Sequence, residues 1–212
     1  AKEERVQDNE KVMRVAVLFS GGKDSSLAVH MLSHLYDVEA ITVGFGVVDA
    51  WVQARRAASV LGVEHRVLEL PRSIVEEAAK MCIADGHPSR AIQHIHVHSI
   101  EALAGEGVSH IADGTRRDDR VPKLTASEAK SLEGRLKIKY MCPLWGFGSS
   151  TIRELAGRLF EFEQNVSSVG FNADYEVELR TLIERMAGSS QVERIFPSHH
   201  IQSHIIGMRG GR

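Results

Sequence analysis

The chain has 212 residues, 43% of them hydrophobic, with 26 lysines and arginines against 28 aspartates and glutamates. That length and apolar content support one sizeable core with a short appendage, and the near-zero charge balance excludes nucleic-acid binding by bulk charge while allowing a local basic patch. No apolar run approaches the ~18 residues of a membrane span and no signal-peptide pattern opens the chain; the two cysteines, Cys82 and Cys142, are too few for a disulfide framework, so a soluble cytoplasmic protein is expected.

Ala1 to Lys11 is charged and reads as a helical or frayed leader. The apolar run Val15-Ala16-Val17-Leu18-Phe19 predicts a first strand. It stops at Ser20-Gly21-Gly22-Lys23-Asp24-Ser25, and a helical pattern begins near Ser25. Two glycines let the backbone turn tightly and bring N–H groups against a ligand. The helix start aims its unpaired N–H groups and positive dipole end at the same point. Lys23 adds a full charge, and the hydroxyls of Ser20, Ser25 and Ser26 can donate to anionic oxygens. A Walker A loop is excluded, because Asp24 follows Lys23 and no glycine precedes Gly22 at the required distance. Together these features make a phosphate site.

Glu39 to Val43 predicts a second strand ending at Gly44-Phe45-Gly46. Position 49 is aspartate where a dinucleotide fingerprint needs a third glycine, so that reading fails. Asp49 is placed to cap a helix reaching Leu61, with Gly62 as its terminator. Glu64 to Leu70 alternates as a third strand, and Ser73 to Glu76 reads as a capping box opening a helix that ends before Gly86. A helix from about Ser89 to Ala104, a fourth strand at Val108 to Ala112 and a fifth at Leu136 to Tyr140 follow. Thr151 to Glu154 opens a helix reaching about Gln164, and Asp174 to Ala187 is amphipathic and ends at Gly188. Alternating strands and helices predict an α/β fold: a parallel five-stranded sheet with helices on both faces, over residues 1–148, with a helical C-terminal appendage over 149–212 packed on it. In such sheets ligands lie beyond the carboxyl ends of the strands. Three loops leave those ends: Ser20 to Ser25, Gly44 to Asp49, and Asp113 to Pro122.

The Ser-Gly-Gly-Lys-Asp-Ser segment resembles the SGGxDS loop of the PP-loop, or N-type, ATP pyrophosphatases, a group within the adenine nucleotide alpha-hydrolase-like superfamily. The resemblance covers roughly Met13 to Leu144 and implies a Rossmann-like, HUP-type fold. It implies that Ser20, Gly21, Gly22, Lys23, Asp24, Ser25 and Ser26 hold the pyrophosphate end of ATP. It also places Val43 to Val48 beside the adenine, with Val43 and Phe45 as contacts, although Phe45 fits an ordinary core position as well. Gly114-Thr115-Arg116-Arg117-Asp118-Asp119 resembles the family's second nucleotide loop. Gly114 would allow close backbone approach and Thr115 would donate to a phosphate. Asp118 or Asp119 would hold Mg²⁺, whose preference is for hard carboxylate oxygens. Arg116, Arg117 and Arg120 would neutralise charge on the alpha phosphate. Asp24 either ligates the metal or caps the helix and fixes Lys23.

By this resemblance the protein adenylates a carbonyl or carboxylate oxygen of a small-molecule or tRNA acceptor and releases pyrophosphate. Lys23, Asp118 and Arg116 serve the first step, and a nitrogen nucleophile then displaces AMP. Lys139 either adds a second charge or simply lies on the polar face of its strand. A separate nitrogen- or sulfur-donor protein and a homo-oligomer are expected. Two alternatives stand beside it: tRNA thiolation using Cys142 and Cys82, and nucleotide binding without turnover. His94 and His98 share a helix face but lack the glutamate of a His-Glu-x-x-His site, so they read as a polar face or an interface. His199, His200 and His204 fit a lid or a subunit contact.

Overall fold

A computed structural model describes residues 13–119, 124–166, 175–196 and 201–210. Five parallel strands form the main sheet: β1 (Arg14–Leu18), β2 (Asp37–Gly44), β3 (Glu64–Glu69), β4 (His110–Asp113) and β5 (Lys139–Met141), in the order β3-β2-β1-β4-β5. Strand order reverses between β1 and β4, so their carboxyl ends flank the crevice where ligands bind in folds of this kind. Side chains alternate across the sheet as the pleat requires. Val15 and Val17 enter one core and Ala16 the other, and on β2 Val38 and Ala40 oppose Ile41 and Val43.

One face is covered by α1 (Lys23–Leu32), α2 (Val52–Leu61) and α6 (Ser149–Leu159), whose buried residues include Leu27, Ala28, Ala57, Ile152 and Ala156. The other is covered by α3 (Arg72–Asp85), α4 (Ser89–Gly105) and α7 (Tyr175–Ala187), with Val75, Ala79, Ile95, Leu103, Leu179 and Ile183 in its core. The chain is completed by α5 (Ala126–Leu136), β6 (Phe160–Val166), α8 (Ser189–Ile195) and β7 (Ile201–Met208).

Several local expectations are corrected. Helix α1 begins at Lys23, with extended Gly22 at its N-cap, so the lysine already stands in the first turn. Asp49 does not cap α2, whose N-cap is Trp51. Pro71 stands at the N-cap of α3, which leaves Ser73 inside the helix and removes the expected capping box. The capping box lies instead at α5: Thr125 accepts from the Glu128 N–H at 3.2 Å, and the Glu128 carboxylate accepts from the Thr125 N–H at 2.7 Å. Leu136 therefore ends a helix rather than opening β5, and left-handed Lys137 (φ 58°) makes the break.

The largest difference lies after Leu159. A helix was expected to continue to Gln164, but Phe160-Glu161-Phe162-Glu163 alternates with period two and forms β6, paired antiparallel with β7. The C-terminal part thus adds a two-stranded ribbon to its helices. Phe160 and Ile205 are buried against the α1–α2–α6 face, and β7 packs on α1 and α2. On the other face, α7 packs on α3. The expected leader (Ala1 to Lys11), Arg120, Pro122, Asp174, His199 and His200 lie outside the described residues.

Candidate functional site

The glycine loop folds as its residues dictate. Gly21 has φ +71°, and a Cβ there would lie 3.0 Å from Ala54 Cα of α2, so only glycine fits the turn and the contact together. Ser25 Oγ donates to the Gly22 carbonyl at 3.2 Å and lies 3.2 Å from Ser20 Oγ, which locks the serines into one cluster. No side chain among the described residues caps the first turn of α1. Ser26 is fully buried, and its Oγ has no hydrogen-bond partner among the described residues.

The loop after β4 comes down on this turn. At Gly114 an added Cβ would meet Ser25 N at 2.8 Å and Asp24 C at 2.9 Å, contacts that no side chain tolerates. Thr115 is also buried, and its Oγ1 lacks a hydrogen-bond partner among the described residues. The two loops that meet at Gly114 thus each carry one buried hydroxyl without a partner among the described residues, and a buried unpaired hydroxyl costs free energy until something bonds to it.

Three carboxylates surround one guanidinium. Arg116 pairs with Asp24 Oδ2, with Asp118 Oδ1 at 2.8 Å and with Asp119 Oδ1 at 3.3 Å. Burial works against its charge, but Asp24, Asp119 and Asp118 together hold its pKa above the usual range. Asp118 also accepts the Ser149 N–H at 2.9 Å; that bond leads in lowering its pKa and ties the loop to the start of α6. Lys23 Nζ lies 3.3 Å from Asp24 Oδ1. The predicted residues of the first and second loops are therefore brought together around Asp24. Among the described residues no group of three or more His, Cys, Asp and Glu side chains is arranged as a metal site, yet the oxygen donors converging here are of the chemistry Mg²⁺ prefers.

In the third loop Val43 and Phe45 are buried in the α3–α4–α7 core, in keeping with the core position that Phe45 also fitted. Part of the loop backbone is already engaged. Glu178, in the first turn of α7 and 1% exposed, accepts the Phe45 N–H at 2.9 Å through Oε1 and the Val47 N–H at 2.7 Å through Oε2. Burial pushes its carboxyl pKa up, and the N–H groups of Val47, Phe45 and Val48 partly offset this. Sequence reasoning missed Glu178, although a signal existed. It stands within the stripe Tyr175, Leu179, Leu182, Ile183, where a lone acid inside an apolar face needs a polar partner.

Asp113 was also missed. Fully buried at the end of β4, it accepts the Thr115 N–H at 2.8 Å and the Tyr140 hydroxyl at 2.5 Å, and lies 2.9 Å from His96 Nε2. Cys142 Sγ donates to it at 3.6 Å. Cys82, in contrast, is sealed in the α3 core, where burial lifts its thiol pKa to about 12. Both cysteines are free thiols. Lys139 is exposed on β5, and the His94 and His98 rings are tilted by 50° with their centroids 4.3 Å apart. His204, on β7, is bridged antiparallel to Gly22 of the glycine loop.

Fold and site together define an α/β protein of Rossmann-like architecture with a glycine turn at the switch point of its sheet. The chain belongs to a family of unknown function, DUF7411, whose sequence model matches residues 13–207. It is 46% identical over 200 residues to an uncharacterised protein of Methanocaldococcus jannaschii, covering 94% of this chain and 98% of that one. A crystal structure described as a predicted subunit of tRNA methyltransferase, from the same organism, superposes with a TM-score of 0.87 at 45% identity, covering 94% of this chain and 99% of the other. A shorter match, 38% identical over 61 residues, is to the 7-cyano-7-deazaguanine synthase of Methanothermobacter thermautotrophicus, and covers 27% of this chain and 28% of that enzyme. No helix among the described residues is long and apolar enough to cross a membrane.

Proposed function

We propose that the chain is an ATP pyrophosphatase of the PP-loop kind, which adenylates an oxygen of an RNA-linked acceptor and prepares it for attack by a nitrogen nucleophile. The observation that carries this reading is the meeting of the two loops, where Gly114 packs on the backbone of Asp24 and Ser25 and the buried Ser26 and Thr115 hydroxyls lack hydrogen-bond partners among the described residues. The PP-loop resemblance of the glycine turn and the short match to a deazaguanine synthase support the nucleotide, and the neighbour described as a tRNA methyltransferase subunit supports the acceptor class.

In this reading the N–H groups opening α1, the Lys23 ammonium and the Ser20, Ser25 and Ser26 hydroxyls bind the beta and gamma phosphates. Asp118 or Asp119, with Asp24, would hold Mg²⁺, which would supply charge neutralisation at the phosphates when bound. Arg116 would then exchange its carboxylate partners for alpha-phosphate oxygens. The protein contributes position and charge, with no covalent intermediate on the chain in the first step. The sulfur-transfer alternative loses its second thiol, because Cys82 is buried and held as the neutral thiol well above neutral pH.

Turnover of labelled ATP with Mg²⁺ and an unmodified tRNA transcript, resolved by chromatography, is expected to give AMP and pyrophosphate. ADP and phosphate as main products would refute the assignment. Tight ATP binding without AMP would favour a nucleotide-binding subunit that does not turn over.

A further inference from the structure

The functional loops follow the order of the strands along the carboxyl edge of the sheet. The loop clamped by Glu178 follows β2, the glycine turn follows β1, the Gly114 loop follows β4, and the turn from Cys142 to Gly148 follows β5 at the far end. If the base lies toward β2 and the phosphates over α1, the remaining approach to the alpha phosphate is from the β4–β5 end. At that end the fold presents a tryptophan and an arginine.

Trp145 is 45% exposed on a turn that is otherwise pinned. Its neighbour Leu144 is fully buried, its own N–H donates to the Cys142 carbonyl at 3.1 Å, and the Phe147 N–H donates to the Leu144 carbonyl at 2.9 Å. Arg117 laces this turn to the Gly114 loop: its backbone N–H donates to the Phe147 carbonyl at 3.1 Å and its Nη1 to the Gly146 carbonyl at 3.3 Å. Trp145 is thus exposed on a turn whose backbone is pinned. The two adjacent arginines also differ in kind. Arg116 is surrounded by three carboxylates, whereas Arg117 makes no ion pair among the described residues. A neutral carbonyl aims its guanidinium, with Asp118 Oδ2 on the same side of the loop near Gly148.

An exposed indole on a pinned turn, next to a guanidinium bonded to the following carbonyl, matches the chemistry of a nucleotide unit. Any base stacks on an aromatic face, and a guanidinium grips a phosphate through paired N–H donors. We infer that Trp145 and Arg117 form the acceptor platform, with a base stacked on Trp145 and its phosphate held by Arg117. The direction of approach rests on the adenylation reading above. A single-stranded RNA segment is the source we assign, because its unpaired bases can swing out onto an exposed ring.

The test uses the full chain carrying Trp51→Phe, which leaves Trp145 as its one indole, since the sequence has two tryptophans. Trp145 fluorescence is followed while an unmodified tRNA transcript, a short single-stranded oligoribonucleotide or AMP is added. RNA is expected to quench it. In the otherwise unaltered chain, Trp145→Ala should weaken RNA binding about tenfold or more, as loss of one base–aromatic stack does, and Trp145→Phe should recover most of that loss. Arg117→Gln should weaken binding and lower the slope of log affinity against log salt by about one.

Quenching by AMP as strong as by RNA, and retained in Lys23→Ala, would support the platform and name a free nucleotide as its source. AMP quenching lost in Lys23→Ala would put Trp145 in the ATP site and overturn the inference. So would absence of quenching by every probe, or undiminished RNA binding by Trp145→Ala. Calorimetric ATP binding on the same proteins keeps the two readings apart. Normal ATP binding with RNA affinity indifferent to Trp145 and Arg117 defeats the platform alone. RNA binding that needs Trp145, in a protein that binds no ATP, defeats the nucleotide assignment alone.

Discussion

Asp24 is the residue on which the candidate site turns, because Lys23 and Arg116 both reach it from opposite sides. In that arrangement its charge holds two cations in place before any ligand arrives, and the expected capping role is not filled by Asp24, because the N-cap of α1 is Gly22 with no side-chain cap bond. Lys23 and Asp118 lie at the periphery of this cluster and are partly exposed, so their truncation leaves the core untouched. Lys23→Ala and Asp118→Ala are each expected to slow AMP formation by about 100-fold, the usual loss when a charged group serving a transferring phosphate is removed. Their melting temperatures should stay within a degree or two of the parent. Full activity in both variants, or unfolding of both, would show the loops to be structural.

Among the elements, α7 has the most consequence for the site, since its Glu178 clamps the loop after β2 across a gap of 133 residues in sequence. Both carboxylate oxygens accept N–H groups, so the geometry fits the charged form even though burial raises the pKa. Glu178→Gln turns an acceptor oxygen into a donor and leaves one loop N–H unpaired, at a cost of roughly 1–3 kcal/mol. If the loop positions the base, KM for ATP should rise about tenfold while kcat stays within about twofold. A fall in kcat with KM unchanged would assign Glu178 elsewhere. This clamp also marks the limit of what could be read from the chain. Strands β1 to β4 and helices α2 to α4 were legible because their apolar spacing repeats with the period of the element. The glycine loop was legible because Gly21 and Gly22 sit between a strand and a helix. Helix α5 was not, since it buries only Leu132 and carries little apolar stripe. Ribbon strands β6 and β7 were missed because Phe160 and Phe162 alternate for barely two repeats directly after a helix, too briefly to outweigh the helical pattern. Glu178 and Asp113 act through partners distant in sequence, which no local pattern records.

At the scale of the whole molecule, acid stability is tied to the strand that carries the glycine loop. Thr42 of β2 donates its hydroxyl proton to the Phe19 carbonyl at 2.7 Å, one residue before that loop, so its oxygen must accept from His65 Nε2 at 2.9 Å. Nε2 of His65 therefore carries a proton, and its Nδ1 is buried with no hydrogen-bond partner among the described residues. Charging it would put a second proton where nothing accepts it. Burial first, and the nearby Arg55 second, lower its pKa from 6.5 to about 4. The folded value lies below the unfolded one, so the unfolded chain binds the extra proton between them. The resulting stability is complete above pH 6.5 and is lost as pH falls toward 4. Burial lowers the pKa of His30 and His94 too, with the same sign, whereas the raised pKa of Glu178 acts oppositely and removes stability as pH rises. Comparing the parent with His65→Gln, whose amide can still donate to Thr42, cancels those other groups. Denaturant unfolding at pH 7.5 and pH 4.5 should show the parent losing more stability than the variant by on the order of 2 kcal/mol, after discounting for partial exposure. Equal losses in both would mean that His65 does not report on the fold beneath the glycine loop.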